Sequence, residues 1–285
     1  MKKILSYGEL LWDVVFGEKY IGGAPFNFSA NCAALGCDSA MITKIGADEM
    51  GKQALDALDA YAVSKRFVQT DTEHETGSAV ARMNGNDVTY DIKQNAAYSY
   101  IAYEKELDQH LTAFAPDCFY FGSVIQESAV SCATLDKILK THPFPLTFCD
   151  LNLRKEQIDP ATLQRCLTYS DILKINRDEA VFLSKVFGGG DYKSIAKGLA
   201  TRFPKIRMIL ITLDADGAYL YHCKQNKEYF VGAKAVTVVS AVGAGDAFSA
   251  GFLVGYFNTG DFVKALDVAT GRAALSLASK QAVPL

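Results

Sequence analysis

Short apolar runs alternate with helix-length amphipathic segments along this chain, and that alternation restricts the fold more than any other feature. The strand-like runs are Ile4–Tyr7, Ala40–Ile45, Cys118–Phe121, Leu146–Asp150, Ile172–Ile175, Met208–Leu213 and Ala235–Val239. Between and after them lie helical patterns at Asn27–Leu35, Gly51–Tyr61, Cys132–Lys140, Thr162–Tyr169, Glu179–Phe187, Ile195–Phe203, Gly243–Tyr256 and Val263–Ala278. Parallel strands need crossover helices, so this order predicts an α/β fold with a mostly parallel central sheet covered on both faces. Two segments break the rhythm. Ser78–Arg82 and Val88–Ile92 flank the polar turn Asn84-Gly85-Asn86-Asp87, a hairpin signal, and Val14–Ile21 adds an extended piece beside it. These segments, about 14–23 and 76–100, predict a small sheet outside the main one that serves as a lid, within a single domain spanning 1–285.

Composition removes several function classes. Of 285 residues, 49% are hydrophobic and 21% charged, with a net charge of −3, which argues against a basic nucleic-acid-binding surface. No apolar run approaches the roughly 20 residues of a membrane span. An acid, Glu9, arrives too early for a signal peptide. The seven cysteines contain no C-x-x-C pair and mostly lie in apolar surroundings, so they read as reduced, buried thiols of a cytoplasmic protein.

Chemistry concentrates near the C-terminus, at Ala241-Val242-Gly243-Ala244-Gly245-Asp246-Ala247-Phe248. A small-residue turn opening a helix presents backbone N–H groups and the positive end of the dipole to an anion. Asp246 stands in that same turn, and a carboxylate beside an anion site has a task in taking a proton from an attacking hydroxyl. The pair reads as phosphoryl transfer. A dinucleotide fingerprint fails because Phe248 occupies the third glycine position, and no G-x-x-x-x-G-K-[ST] occurs.

Five segments in order, Gly8-Glu9-Leu10-Leu11-Trp12-Asp13, Gly22-Gly23-Ala24-Pro25-Phe26-Asn27, Asp150-Leu151-Asn152-Leu153-Arg154, Asn176-Arg177-Asp178-Glu179 and Gly243–Asp246, resemble the ribokinase-like (PfkB) carbohydrate kinases, and within them the bacterial fructokinases. The resemblance implies a three-layer sandwich with a β-sheet lid. It implies ATP and Mg²⁺ as cofactors and a small sugar as partner, fructose first and another ketose, a pentose or a nucleoside next. Dimerisation through the lid edge also fits family habit.

Residue roles follow from the same resemblance. Asp13, just after the first strand, accepts hydrogen bonds from sugar hydroxyls, with Gly22, Gly23 and Asn27 lining the sugar. On residue type alone, Asp13 is equally a solvated turn acid, and Gly-Gly-Ala-Pro a turn leading into a proline-started helix. Asp150, Asn152 and Arg154 alternate at a strand end, and Arg154 clamps the transferred phosphate or is an ordinary surface arginine. Lys174, Asn176, Glu179 and Thr212 are placed along the nucleotide, Lys174 facing phosphate or else solvent, and Asn176 and Glu179 arranging Mg²⁺ through water. Asn176 and Glu179 are equally a helix N-cap and its capping-box partner. Gly243, Ala244, Gly245 and Asp246 form the catalytic turn.

Departures from the family pattern are specific. Ser240-Ala241 stands for Asp-Thr and Lys280-Gln281-Ala282 for Lys-Gly-Ala, which implies weakened, altered or lost potassium activation. Asp214 replaces a glycine that approaches nucleotide phosphate, and Tyr98-Ser99 replaces Trp-Asp in the sugar pocket. They leave a second class open, a kinase-fold protein that binds sugar or nucleotide but transfers phosphate poorly.

Overall fold

The computed structural model describes residues 1–15, 17–84, 87–93, 95–153 and 158–284. They form two compact units.

The first unit opens with β1 (Lys3–Tyr7), β2 (Leu11–Val15), β3 (Glu18–Gly22) and α1 (Ala24–Ala34). It continues through β4 (Asp38–Gly46), α2 (Glu49–Ala60), β5 (Val63–Ser64), β6 (Val68–Asp71), β7 (Gly77–Asn84), β8 (Asp87–Ile92), α3 (Lys105–Phe114) and, later in the chain, α4 (Ala129–Thr141). β1 and β4 pair in parallel from Lys3↔Asp38 to Tyr7↔Ile42, and β4 continues the parallel pairing to β5 and β6. A separate small sheet has the order β3-β2-β7-β8. Its β7/β8 pair is the expected hairpin, whereas the expected extended piece over Val14–Ile21 is instead split between two antiparallel strands, β2 and β3; β2 and β7 run parallel. Asn84 pairs with Asp87 across the expected turn, whose Gly85 and Asn86 lie outside the described residues.

The second unit holds β9 (Cys118–Gly122), β10 (Thr147–Asp150), α5 (Pro160–Tyr169), β11 (Ile172–Asn176), α6 (Arg177–Phe187), α7 (Tyr192–Arg202), β12 (Met208–Thr212), β13 (Ala218–His222), β14 (Lys227–Val231), α8 (Ala244–Thr259) and α9 (Phe262–Leu277). Its strands lie in the order β14-β13-β12-β11-β10-β9, parallel from β9 to β12. The parallel strands are near-continuous apolar runs, as strands covered on both faces must be. β10, β11 and β12 are buried almost throughout.

One expectation from sequence needs correction, and two elements lie outside those the sequence predicts. Ala235–Val239 is not a strand. Val238 and Val239 are about 60% exposed, and the Val239 and Ser240 N–H groups donate to Leu277 O at the end of α9, at 2.7 and 3.2 Å. β-branched composition favoured a strand, and tertiary context overrode it. The sheet edge is instead formed by the antiparallel hairpin β13/β14, whose strand-forming signal is the aromatic and β-branched content of Tyr219-Leu220-Tyr221 and Tyr229-Phe230-Val231. The other is α3, where Leu107, Leu111 and Phe114 fall at helical spacing and are all buried.

α8 carries the glycine turn. Every residue from Asp246 to Gly255 is buried, which is why its sequence is apolar all round. α9 lies against it at very short range: a Cβ at Gly251 or Gly255 would stand 2.9 Å from the Cα of Ala269 or Ala265. Cys32, Cys118, Cys149 and Cys166 are buried, whereas Cys37, Cys132 and Cys223 are half-buried. Among the described residues, no helix is long and apolar enough to cross a membrane.

Candidate active site

In the first unit the predicted sugar residues gather around the start of α1. Asp13 does not sit at the end of β1, as the sequence suggested. It lies within β2, opposite Tyr20 in β3 and beside Ala79 in β7. Its carboxylate folds over Gly22: a Cβ there would approach Asp13 Oδ2 to 2.5 Å. Gly23, the N-cap of α1, has φ +103, and a Cβ on it would meet the Glu9 carbonyl at 2.3 Å, so only glycine fits. Pro25 opens α1 without wasting a donor. Asn27 is buried in the first turn, its N–H donating to Gly23 O at 2.9 Å and its carbonyl accepting from Asn31 Nδ2 at 2.8 Å. Tyr98 lies over Gly77, where a Cβ would meet its ring at 2.5 Å. Burial first, then the carboxylates of Glu9 and Glu127, push its phenol up to about 12, so it is a neutral hydroxyl at physiological pH.

In the second unit the sites cluster at the carboxyl ends of β10, β11 and β12, where open α/β sheets bind ligands. Gly243 is the N-cap of α8 in the left-handed conformation (φ +77). A Cβ on it would stand 2.4 Å from Ala282 Cβ, so conformation and space both demand glycine. Gly243, Ala244 and Gly245 are half-buried, and Asp246 is 9% exposed in the first turn. The N–H groups of such a turn have no intrahelical acceptor, though that of Ala244 makes a long bond of 3.4 Å to Ala241 O just ahead of the helix.

Lys174 faces neither solvent nor open space. It is buried, its Nζ 3.1 Å from Asp150 Oδ1 and 3.1 Å from where a Cβ of Gly245 would be. Asp150 Oδ2 accepts from Ser249 Oγ at 3.1 Å, one turn beyond Asp246 on α8. Burial pulls the Lys174 ammonium down, but the carboxylates of Asp150, Glu179 and Asp246 together hold it above its ordinary value. Lys174 therefore carries its charge in the middle of three acids. Ser249 and Asp150 formed no motif with Asp246 in the sequence; the register of β10 and β11, which pairs Asp150 with Lys174, joins them.

Asn176 and Glu179 are a complete capping box for α6. Asn176 Oδ1 accepts from Glu179 N and Glu179 Oε2 from Asn176 N, both at 2.8 Å. Glu179 Oε1 also accepts from Leu153 N at 2.7 Å. Each carboxylate oxygen thus holds one N–H and keeps a lone pair, which suits contact to a metal through water rather than a bidentate grip. Burial first raises the Glu179 carboxyl, only partly offset by Lys174, so a nearby divalent cation would favour its charged form. The residues fit Mg²⁺ held chiefly by water and phosphate.

Thr212 ends β12 directly beside Asn176. Asp214, two residues on, has φ +52, which explains the glycine it replaces, since aspartate is among the few residues that tolerate this region. Its carboxylate is engaged by Arg177 Nε at 3.2 Å, and the same guanidinium donates to Leu213 O at 2.8 Å and to Asp216. Sequence reading passed over Arg177. The expected alternation of Asp150, Asn152 and Arg154 breaks, because β10 stops at Asp150 and Asn152 turns left-handed at φ +45. Arg154 lies outside the described residues.

Comparison with known proteins places the sequence and the fold. Probable fructokinase-6, a chloroplastic protein of Arabidopsis thaliana, is 30% identical over 276 residues, 88% of this chain and 69% of its own. The ribokinase of Haemophilus influenzae is 24% identical over 287 residues, 95% of this chain and 86% of its own. Among solved structures, an uncharacterised sugar kinase of Pyrococcus horikoshii in complex with ATP is 26% identical and superposes with a TM-score of 0.83 over 98% of this chain and 93% of its own. The architecture is the ribokinase-like α/β fold, with its mostly parallel sheet and small separate sheet. The pattern of the pfkB family carbohydrate kinases matches residues 2–284, and the chain belongs to that family.

Proposed function

We propose that the chain transfers the γ-phosphoryl group of ATP to a primary hydroxyl of a small sugar, with fructose, giving fructose 6-phosphate, as the first choice of acceptor. The observation that carries this reading is the buried Asp246 carboxylate in the first turn of α8, next to Gly243, Ala244 and Gly245, in a member of a carbohydrate kinase family. Asp246 accepts the proton of the acceptor hydroxyl as its oxygen attacks phosphorus. The N–H groups of Gly243, Ala244 and Gly245 meet the charge on the transferring group, where one preorganised donor is worth about 3 kcal/mol. Lys174 keeps its positive charge beside them. Asp13 and Asn27 take sugar hydroxyls, Gly22 and Gly23 leave room for them, and Arg154 is kept as a candidate phosphate clamp. Thr212, Asn176 and Glu179 line the nucleotide, the last two through the water shell of Mg²⁺. When bound, Mg²⁺ neutralises phosphate charge.

The small sheet is the lid that excludes water from the transfer, and its strand edge offers a route to a homodimer. A cytoplasmic location suits the thiol content and the cofactor. Fructose is supported by several fructokinases among the relatives, while the ribokinase relative and Tyr98-Ser99 keep other sugars and nucleosides in the test. The weaker alternative is a binding protein that transfers poorly. Ser240 and Gln281 favour it; Arg177, by pairing Asp214, removes one of its supports.

The test is coupled ADP release with Mg-ATP and a panel of sugars and nucleosides. Turnover on fructose that falls by about two decades in Asp246→Asn, with the fold intact, is the expected result. Turnover on another acceptor would keep the mechanism and overturn the sugar. No turnover on any acceptor would favour the binding protein.

A further inference from the structure

The glycine turn is shaped by a piece of chain distant in sequence. A Cβ on Gly243 would lie 2.4 Å from Ala282 Cβ, 2.9 Å from Ala282 Cα and 3.1 Å from Ala282 O, so the turn packs directly on the segment that follows α9. That segment is itself inaccessible, with Ala282 8% and Val283 2% exposed. Two side chains of α9 hold it there. Arg272 donates to Pro284 O at 3.3 Å. Ser276, completely buried, has its Oγ 2.9 Å from Ala282 O and 3.4 Å from Val242 O. Its one hydroxyl hydrogen therefore faces two carbonyls: one belongs to the segment, the other to the residue just before Gly243.

We propose that Ser276, acting through Ala282, is a positioning residue for phosphoryl transfer: it fixes the Gly243 turn so that its N–H groups are aimed before the substrate arrives. This rests on the reading of that turn as the one that meets the transferring phosphoryl. The physical reason is preorganisation. Gly243 is the least constrained residue type in the turn, at a φ that other residues avoid, and nothing in its own chemistry holds it there. Donors that stabilise transition-state charge lose much of their effect when they must be reoriented during the step. A turn backed by the Ala282 methyl and tied at Val242 by Ser276 needs no reorientation. Ground-state nucleotide contacts, assigned to Thr212, Asn176 and Glu179, do not pass through Ser276.

The experiment compares wild type, Ser276→Ala and Ala282→Gly with the acceptor that gives turnover. It reads kcat, both KM values, melting temperature, and the affinities for AMP-PNP and for ADP–aluminium fluoride in the presence of acceptor. In both variants kcat is expected to fall about tenfold with KM values nearly unchanged. The affinity for the fluoride complex, which mimics the transferring group, falls by the same factor, while that for AMP-PNP holds. A merely structural role would lower the melting temperature and both affinities together, and that result overturns the proposal. So does an unchanged kcat in both variants. If Ser276→Ala does not fold, Ala282→Gly, which removes only the methyl facing Gly243, decides the matter alone. A wild type without turnover on any acceptor overturns the phosphoryl-transfer reading and this proposal with it. An active wild type with unaffected variants overturns the proposal only.

Discussion

Arg177 Nε donates to Asp214 Oδ2 across 3.2 Å, joining the residue after the end of β11 to the second residue after the end of β12. The acid that looked most hostile to a triphosphate thus comes with its own cation. Removing that cation would leave the Asp214 and Asp216 carboxylates without Arg177 near the proposed nucleotide site.

Arg177→Gln is expected to raise the KM for ATP by about two- to fivefold, the range of an exposed, screened ion pair, with kcat little changed. Adding Asp214→Asn restores the KM, and high salt narrows the difference. Steady-state kinetics over ATP concentration at two ionic strengths checks this. An unaltered KM would show that the pair holds the turn and nothing more.

Gly22→Ala places a methyl 2.5 Å from the present position of Asp13 Oδ2, so the carboxylate has to move. The expected outcome is a KM for sugar raised about tenfold, the scale of one lost charged hydrogen bond, with the KM for ATP unaffected. Acceptor titrations at saturating ATP measure it; an equal rise in both KM values would detach Asp13 from sugar recognition.

Asp71 is expected to contribute to stability against acid. Burial alone would raise its carboxyl, but the N–H groups of Glu73 and His74, the Lys44 ammonium and the His74 ring more than reverse this and hold it well below the usual carboxylate range. A depressed folded pKa contributes stability that is fully present above the unfolded value near 4 and drains away as pH falls below it. The gap in urea midpoint between wild type and Asp71→Asn is therefore widest near neutrality and narrows below about pH 4. A gap independent of pH would remove the carboxylate's charge from the account.

Potassium is the fourth case. Ser240 supplies a neutral hydroxyl where the family resemblance leads one to expect a carboxylate, and its Oγ already accepts from Val242 N at 3.2 Å. A neutral oxygen holds a monovalent cation less firmly than a charged one. Initial rates in potassium chloride and choline chloride are expected to match. A large, saturable increase with potassium would reject this.

The βαβ rhythm, the β7/β8 hairpin and the glycine turn are legible because each is local: period, turn chemistry and small residues lie within a few positions. What stayed hidden depends on register. Arg177 reads as an ordinary helix-start residue until β11 and β12 align Asn176 with Thr212 and bring Asp214 within reach. Ser276 is one more small residue of an apolar helix until the chain after α9 folds back onto Gly243. Asp13 stands out by its motif but not by its position, since Leu11–Val15 is short enough to read as a loop yet pairs on both sides. Ala235–Val239 erred in the opposite sense. Its valines have strand propensity, but their backbone finds the end of α9 first.

The two glycines of α8 that admit α9 to contact distance have a mechanical consequence. With Gly251 against Ala269 and Gly255 against Ala265 there is no layer of side chains between the helices to act as a cushion. Packing at that range leaves little room for sliding, so α8 and α9 rotate together or not at all. The pair acts as one lever, with the Gly243 turn at one end and Ser276, which reaches Ala282 beside that turn, on the same pair of helices. Any hinge that opens this turn must lie in the segments flanking the pair.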